Sequence, residues 1–441
     1  MEIKRNLLTR LVKWAAQTKH KPLIIRGARQ VGKTHTVREF ARIYKLDFIE
    51  LNFEKQKELL TIFEKNLDPK RIIIEIELFF SRKVVPGKTL LFFDEIQDCP
   101  KAIESLRYFY EDIAELHVIS AGSMLEFVMS ELSVPVGRVH YEYAYPCSFS
   151  EYVETRQNLE ITEFLPRLEN DEISFNKSTP VTVKQKLASA LKEYFLIGGM
   201  PEAISTFINT NSLLEARMTH QDILTTFKED VSKYGIKGQQ LESLTRLFPQ
   251  LFKYVGKQIK YTEIGQGDST VRTKTSLHLL ELALLIKKVT SVHAVGLPLN
   301  ATSNEKIFKL LYLDIGLGQT LSGYEAKSLL KAKNLLDSYQ GQLAEQFVGQ
   351  QLLSESKTAN IFQELFCWIR SERGSSAEVD YLIQREGKII PVEVKSGRGG
   401  RLKSMSIFRD QYKSPFGICL QDIDSPYFDK GVWYTPLYTI L

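Results

Sequence analysis

Leu23-Ile24-Ile25-Arg26-Gly27-Ala28-Arg29-Gln30-Val31-Gly32-Lys33-Thr34-His35 is the stretch from which the fold is read. Its apolar start has the character of a short buried strand, and beyond it Val37, Phe40 and Ala41 recur at helical spacing. Strand and helix are joined by a G-x-x-x-x-G-K-T loop. Gly27 and Gly32 let the backbone turn its N–H groups onto phosphate oxygens at the positive end of the helix, so Gly27, Ala28, Arg29, Gln30, Val31, Gly32, Lys33, Thr34 and His35 form the expected cradle. Lys33 is expected to reach the β- and γ-phosphates and Thr34 to place its hydroxyl on Mg²⁺.

Working outward, Thr89-Leu90-Leu91-Phe92-Phe93-Asp94-Glu95 runs an apolar strand into two carboxylates. Asp94 suits the Mg²⁺ shell, and Glu95 can polarise a water for attack on the γ-phosphate. The adjacent pair favours ATP hydrolysis over a kinase or a simple GTPase; the plainer role for Glu95 is to cap the next helix. Asp47 to Phe53 alternates as a neighbouring strand. Asn52 near its end either hydrogen-bonds Glu95 and gates it, or ends the strand in an Asx turn. Leu116 to Ser123 is a further strand, where Ser120, in preference to Ser123, is the hydroxyl expected at the γ-phosphate or lytic water.

Val136-Gly137-Arg138-Val139 precedes an aromatic strand, Tyr141 to Tyr145, that leads into Pro146-Cys147-Ser148-Phe149-Ser150-Glu151. The series GARQVGKT, LLFFDEIQ, VISAGS, VGRV and PCSFSEY resembles the AAA-type P-loop ATPases of bacteria and archaea that carry a C-terminal domain of unknown function. Gly198-Gly199-Met200-Pro201-Glu202, Leu311-Tyr312-Leu313-Asp314-Ile315-Gly316, Glu378-Val379-Asp380 and Val392-Glu393-Val394-Lys395 continue the likeness over nearly the whole chain. The resemblance implies an α/β core with a parallel sheet at 1–155. It also places Arg138 where a cation could reach the γ-phosphate within one chain or from a neighbouring subunit, so a homo-oligomer stays open.

The resemblance makes 156–235 a helical lid, and apolar spacing from Val183 to Leu196 and from Leu213 to Val231 predicts its helices. Residues 157–182 read as a variable connection with one short helix. At 236–300 the order of one helix over Leu241–Gly256, Lys260 to Ile264, a helix N-capped by Ser269, and a strand at Ile286 to Val289 suggests a winged helix. Its Arg272 and Lys274 could meet DNA phosphates.

At 301–441, Ala377 to Ile383 and Ile389 to Gly397 read as a hairpin with Gln384 to Lys388 at the turn. Glu393 and Lys395 share one strand face and Asp380 can lie beside them. Converging carboxylates raise a pKa or recruit Mg²⁺, so Asp380 and Glu393 are the expected metal ligands, with Lys395 stabilising charge or orienting water. This D…E-x-K spacing resembles the restriction-endonuclease-like superfamily, whose core adds a glutamate from the preceding helix, here Glu345 in Gly341 to Val348. Either the set cuts DNA, or the fold survives as a binding platform, or the hairpin is merely salt-bridged. The loop Gly397 to Lys403 is basic and suits backbone phosphates.

A length of 441 residues at about 150 per domain allows roughly three domains, and 43% hydrophobic with 25% charged residues is globular composition. A net charge of +5 permits nucleic-acid contact without requiring it. The four cysteines, Cys99, Cys147, Cys367 and Cys419, are single, which argues against zinc or a disulfide framework and for a reducing, cytoplasmic setting. The start lacks an apolar export segment, and no stretch is long enough to span a membrane. ATP and Mg²⁺ are the expected ligands. Two functions remain: an ATPase that drives a nuclease-like domain on DNA, and an ATP-dependent switch whose C-terminal domain only binds a partner.

Overall fold

Five short strands, β1 (Leu23–Arg26), β2 (Asp47–Asn52), β3 (Thr89–Asp94), β4 (His117–Ala121) and β5 (His140–Tyr143), lie parallel in the order β2-β3-β4-β1-β5 in the computed structural model. The structure describes residues 3–123, 125–131, 137–157, 160–231, 238–265, 267–294, 296–323, 340–355, 364–372, 375–395 and 402–441. All six residues of β3 and all four of β1 are buried, as a parallel sheet covered on both faces requires. Alternate residues Ile24, Leu51, Leu91, Phe93 and Val118 join one core with Ile72 and Ile76 of helix Pro69–Phe80 and Leu106 of helix Pro100–Asp112. Residues 4–145 form one compact unit, and the described residues from 146 onward belong to the other.

In the second unit, helices Val181–Ile197 and Leu213–Val231 stand where apolar spacing predicts them. The connection before them holds, besides a 3₁₀ turn, a small hairpin of β6 (Arg167–Glu169) and β7 (Glu172–Ser174) that the reading of 157–182 omits. Its turn residues Asn170 and Asp171 both take positive φ, which these side chains tolerate. The single helix expected over 241–256 is instead Gln239–Leu247 followed by a 3₁₀ turn at Phe248–Tyr254, because Pro249 has no N–H to continue the α ladder.

β8 (Ile286–Val292), β9 (Ser303–Tyr312), β10 (Leu365–Glu372), β11 (Ser375–Arg385), β12 (Lys388–Val394), β13 (Gly417–Gln421), β14 (Tyr427–Asp429) and β15 (Val432–Pro436) make one mixed sheet in the order β14-β15-β13-β12-β11-β10-β8-β9. The expected wing strand, β8, therefore pairs with β9 and with β10, and the anticipated boundary at 300 falls between two partners of one sheet. Ser269 does cap the helix Thr270–Leu282. Arg272, however, is spent on Asp268 at 3.1 Å and Gln239 at 2.6 Å, and Lys274 lies over the Tyr261 ring. Arg272 is thus engaged within the unit, while Lys274 stays exposed. Of the basic loop, 397–401 lies outside the described residues.

Two segments singled out by resemblance meet at one buried carboxylate, and a third joins them through Gly199. Asp314 accepts hydrogen bonds from the backbone N–H of Gly199 (2.6 Å), Gly316 (2.9 Å) and Leu317 (3.0 Å), and from Gln350 Nε2 (3.0 Å). Gly198 has φ +69°, and a Cβ there would run into the Asp314 carboxylate. Cys147 N–H donates to Gly199 O at 2.6 Å, and Gln351 of helix Gln340–Ser354 accepts from Phe149 N–H at 2.7 Å.

Asp314→Ala would strand four buried donors at roughly 1–3 kcal/mol each. Denaturant unfolding should show a loss of at least about 3 kcal/mol, with Asp314→Asn milder; equal losses would remove the carboxylate's special role. In the first unit, His20 Nε2 and His117 Nδ1 share a 2.6 Å hydrogen bond beside Trp14, and burial followed by the His117 charge pulls His20 down to about 4. The unfolded chain takes up protons from pH 6.5 downward while the pair refuses them, so stability should fall between pH 6.5 and about 4. Unfolding midpoints of His20→Phe should decline less steeply over that window; an unchanged slope would acquit the pair.

Candidate nucleotide site and a C-terminal carboxylate cluster

Parallel strands bring their carboxyl ends to one edge, and the loops leaving β1, β2, β3 and β4 all emerge there. The β1 loop turns sharply, with Gly27 at φ +156°, Gln30 at +62° and Gly32 at +89°. A Cβ at Gly27 would collide with the Ala144 carbonyl, so glycine is required by close backbone approach as well as by the turn. Gly32 is the N-cap of helix Lys33–Ile43, which aims that helix's free N–H groups into the loop. Lys33 is 7% exposed, and its Nζ donates to Gly27 O and Ala28 O at 2.8 Å each. Burial pulls its pKa down to about 8 against the opposing pull of Glu95 and Asp94. His35 is exposed on the first turn.

Thr34 Oγ1 lies 3.1 and 3.2 Å from the two oxygens of Asp94. These hard oxygens, one on the first turn of helix Lys33–Ile43 and one at the end of β3, would suit Mg²⁺. Burial, then the neighbouring Glu95, pushes Asp94 up to about 6. Asn52 donates from Nδ2 to Asp94 Oδ2 at 3.1 Å and accepts from Lys55 N–H at 2.9 Å. It thus closes its own turn and braces Asp94, not Glu95 as anticipated.

Glu95 sits at φ +50°, where the chain swings out of β3. Its Oε2 accepts from Gln97 Nε2 at 2.8 Å and lies 3.4 Å from both N and Oγ of Ser123. Ser123, on the loop leaving β4, is therefore the hydroxyl beside Glu95. Ser120, expected in that place, is wholly buried between β3 and β1, and its hydroxyl has no hydrogen-bond partner among the described residues. Its position inside the strand, short of the carboxyl edge, explains the difference. Gln97 escaped the sequence reading; Gly122, where a Cβ would strike the Gln97 side chain, is its one signal.

Arg138 precedes β5 and so lies at the amino edge of the sheet, opposite the P-loop; it donates to Glu111 at 2.9 Å. Reach to the γ-phosphate of its own chain is excluded by that placement.

In the second unit the β11–β12 hairpin forms as read, with Glu386 and Gly387 at its turn. One step beyond the Tyr381–Val392 pair, Asp380 and Glu393 face each other, both 8% exposed. Asp380 Oδ2 accepts from Val394 N–H at 2.8 Å, and Glu393 Oε1 pairs with Lys395 Nζ at 2.6 Å. The sequence reading missed Lys309. From β9 its ammonium contacts Glu345 Oε2 (3.0 Å), Asp380 Oδ1 (2.9 Å) and Glu378. The signal was a lone lysine in the apolar run Ile307-Phe308-Lys309-Leu310-Leu311. Burial opposes the Lys309 charge, but Asp380, Glu345 and Glu378 together hold its pKa well above the ordinary lysine range. Burial, then Asp380, pushes Glu345 up to about 8 and Glu393 to about 7. Among the described residues, no group of three or more His, Cys, Asp or Glu is placed to hold a metal ion.

No described helix is long and apolar enough to cross a membrane. No match is found among curated proteins. Solved structures that the chain is similar to include a Walker-type ATPase of Pyrococcus abyssi (12% identity, 73% of this chain and 96% of that one, TM-score 0.46). The Aeropyrum pernix Orc1 protein in complex with DNA gives 15% identity, 73% and 93% coverage and TM-score 0.30. AMPPCP-bound DnaA from Aquifex aeolicus gives 13%, 62% and 86%, and 0.27. At this level they are likenesses only. Domains of unknown function, DUF8612 and DUF4143, match residues 188–328 and 340–440. Residues 19–153, the stretch that holds the G-x-x-x-x-G-K-T loop and the Asp94-Glu95 pair, match the AAA domain family.

Proposed function

We propose that residues 4–145 hydrolyse ATP and that the nucleotide state controls an endonuclease-like C-terminal domain that acts on or binds DNA. The carrying observation is that Lys33, Thr34, Asp94 and Glu95 converge on one sheet edge, with the last two separated from the P-loop strand only by β4. The loop N–H groups and Lys33 bind the phosphates, and Lys33 can leave the Gly27 and Ala28 carbonyls for the β- and γ-oxygens. Thr34 and Asp94 would hold Mg²⁺, which when bound neutralises phosphate charge. Glu95 orients the attacking water and accepts its proton, after releasing Gln97 and Ser123. Since Arg138 stands at the opposite edge, its catalytic use would need a neighbouring copy of the chain.

Glu95→Gln should retain ATP binding by calorimetry while phosphate release falls about 10²–10⁴-fold, and Lys33→Ala should lose the binding heat. Unimpaired turnover in Glu95→Gln would remove the proposed base.

The rival reading, a switch whose C-terminal domain does not cut, is favoured by one observation, the engagement of Asp380 and Glu345 by Lys309. Plasmid incubated with Mg²⁺ and the wild-type chain, beside Asp380→Ala and Lys395→Ala, separates the two. Nicking by the wild type alone establishes cutting, whereas intact plasmid in every nucleotide state leaves the switch.

A further inference from the structure

An ammonium has three N–H donors and no more. Lys309, 2% exposed, directs them at three carboxylates, Glu345 on helix Gln340–Ser354 and Glu378 and Asp380 on β11. Asp380 is then complete, for its second oxygen is held by Val394 N–H. On the facing strand Glu393 Oε2 is buried and has no hydrogen-bond partner among the described residues. The cluster thus has a filled cation position and, beside it, an unused anionic oxygen. A divalent cation bound by Asp380 and Glu345 would sit within about 3 Å of that ammonium's place, where two cations in a poorly solvated site repel strongly.

Resting on the endonuclease-like reading of the hairpin, we propose that Lys309 is the resident cation of this cluster, so that the C-terminal domain is assembled without a metal and becomes a divalent-cation site only when the Lys309 side chain is removed. The chain supplies from β9 the charge that the D…E-x-K pattern leads one to seek in Mg²⁺. In this state Asp380 and Glu345 keep the domain folded and are not open to a substrate. Removing the ammonium leaves Asp380 Oδ1 and Glu345 Oε2 without the counter-charge of Lys309, beside Glu393 Oε2, whose sister oxygen stays paired with Lys395; these hard oxygens suit Mg²⁺ or Mn²⁺.

The test is Mn²⁺ binding, read by electron paramagnetic resonance, to the full-length, nucleotide-free chain in wild-type, Asp380→Asn, Lys309→Met and Lys309→Met/Asp380→Asn forms. Any ion taken up at Thr34 and Asp94 is common to all four. The wild type and Asp380→Asn should bind alike. Lys309→Met should gain one ion that the double variant loses, and its melting temperature should rise with Mn²⁺ where that of the wild type does not. A wild-type ion lost in Asp380→Asn overturns the proposal and does not depend on whether Lys309→Met folds. So does a folded Lys309→Met that binds no more than the wild type. Plasmid nicking by the wild type that Asp380→Asn abolishes would overturn it while leaving the endonuclease-like reading intact. A gained ion indifferent to Asp380→Asn would overturn it as well, because that ion would not be held by this cluster.

Discussion

A buried ammonium must be surrounded by oxygen, because taking the charge out of water costs far more than a fold can otherwise supply. Both candidate sites are organised around such a group. At Lys33 the oxygens are backbone carbonyls of its own loop, which can be exchanged for phosphate because the loop is a turn and not a rigid ladder. At Lys309 they are carboxylates on a helix and a central strand, held by the second unit's own sheet. The first arrangement suits a group that exchanges partners on ligand binding; the second suits one that stays in place.

Strand order decides what surrounds the phosphate loop. With β4 inserted between β1 and β3, the P-loop and the Asp94-Glu95 pair are separated by one strand, and the loop leaving β4 delivers Ser123 to Glu95. Parallel alignment sends every amino end to the opposite edge, which removes Arg138 from its own chain's site. A single topological fact thus selects the hydroxyl beside Glu95 and sets Arg138 at the opposite edge.

The motifs around Gly198, Cys147 and Asp314 are explained by architecture. Asp314 is completely buried, caps the helix Ile315–Leu321 and fastens the Gly198-Gly199 turn, while Gln350 approaches it from a third element. These residues are far apart in sequence and meet because one carboxylate can accept four donors. Their meeting needs no ligand.

The local chemistry was legible in the sequence wherever one segment suffices. The G-x-x-x-x-G-K-T turn, the apolar strand ending in Asp94-Glu95, the Ser269 cap, the helices at 181–197 and 213–231 and the Glu386-Gly387 hairpin each depend on neighbours a few residues away. What required tertiary structure was every pairing across the chain. Asn52 meets Asp94, Gln97 and Ser123 meet Glu95, the wing strand joins the C-terminal sheet, and Lys309 enters the carboxylate cluster. Backbone geometry and side-chain periodicity are short-range and written residue by residue, but which side chain compensates a buried charge is settled only when distant strands are set edge to edge.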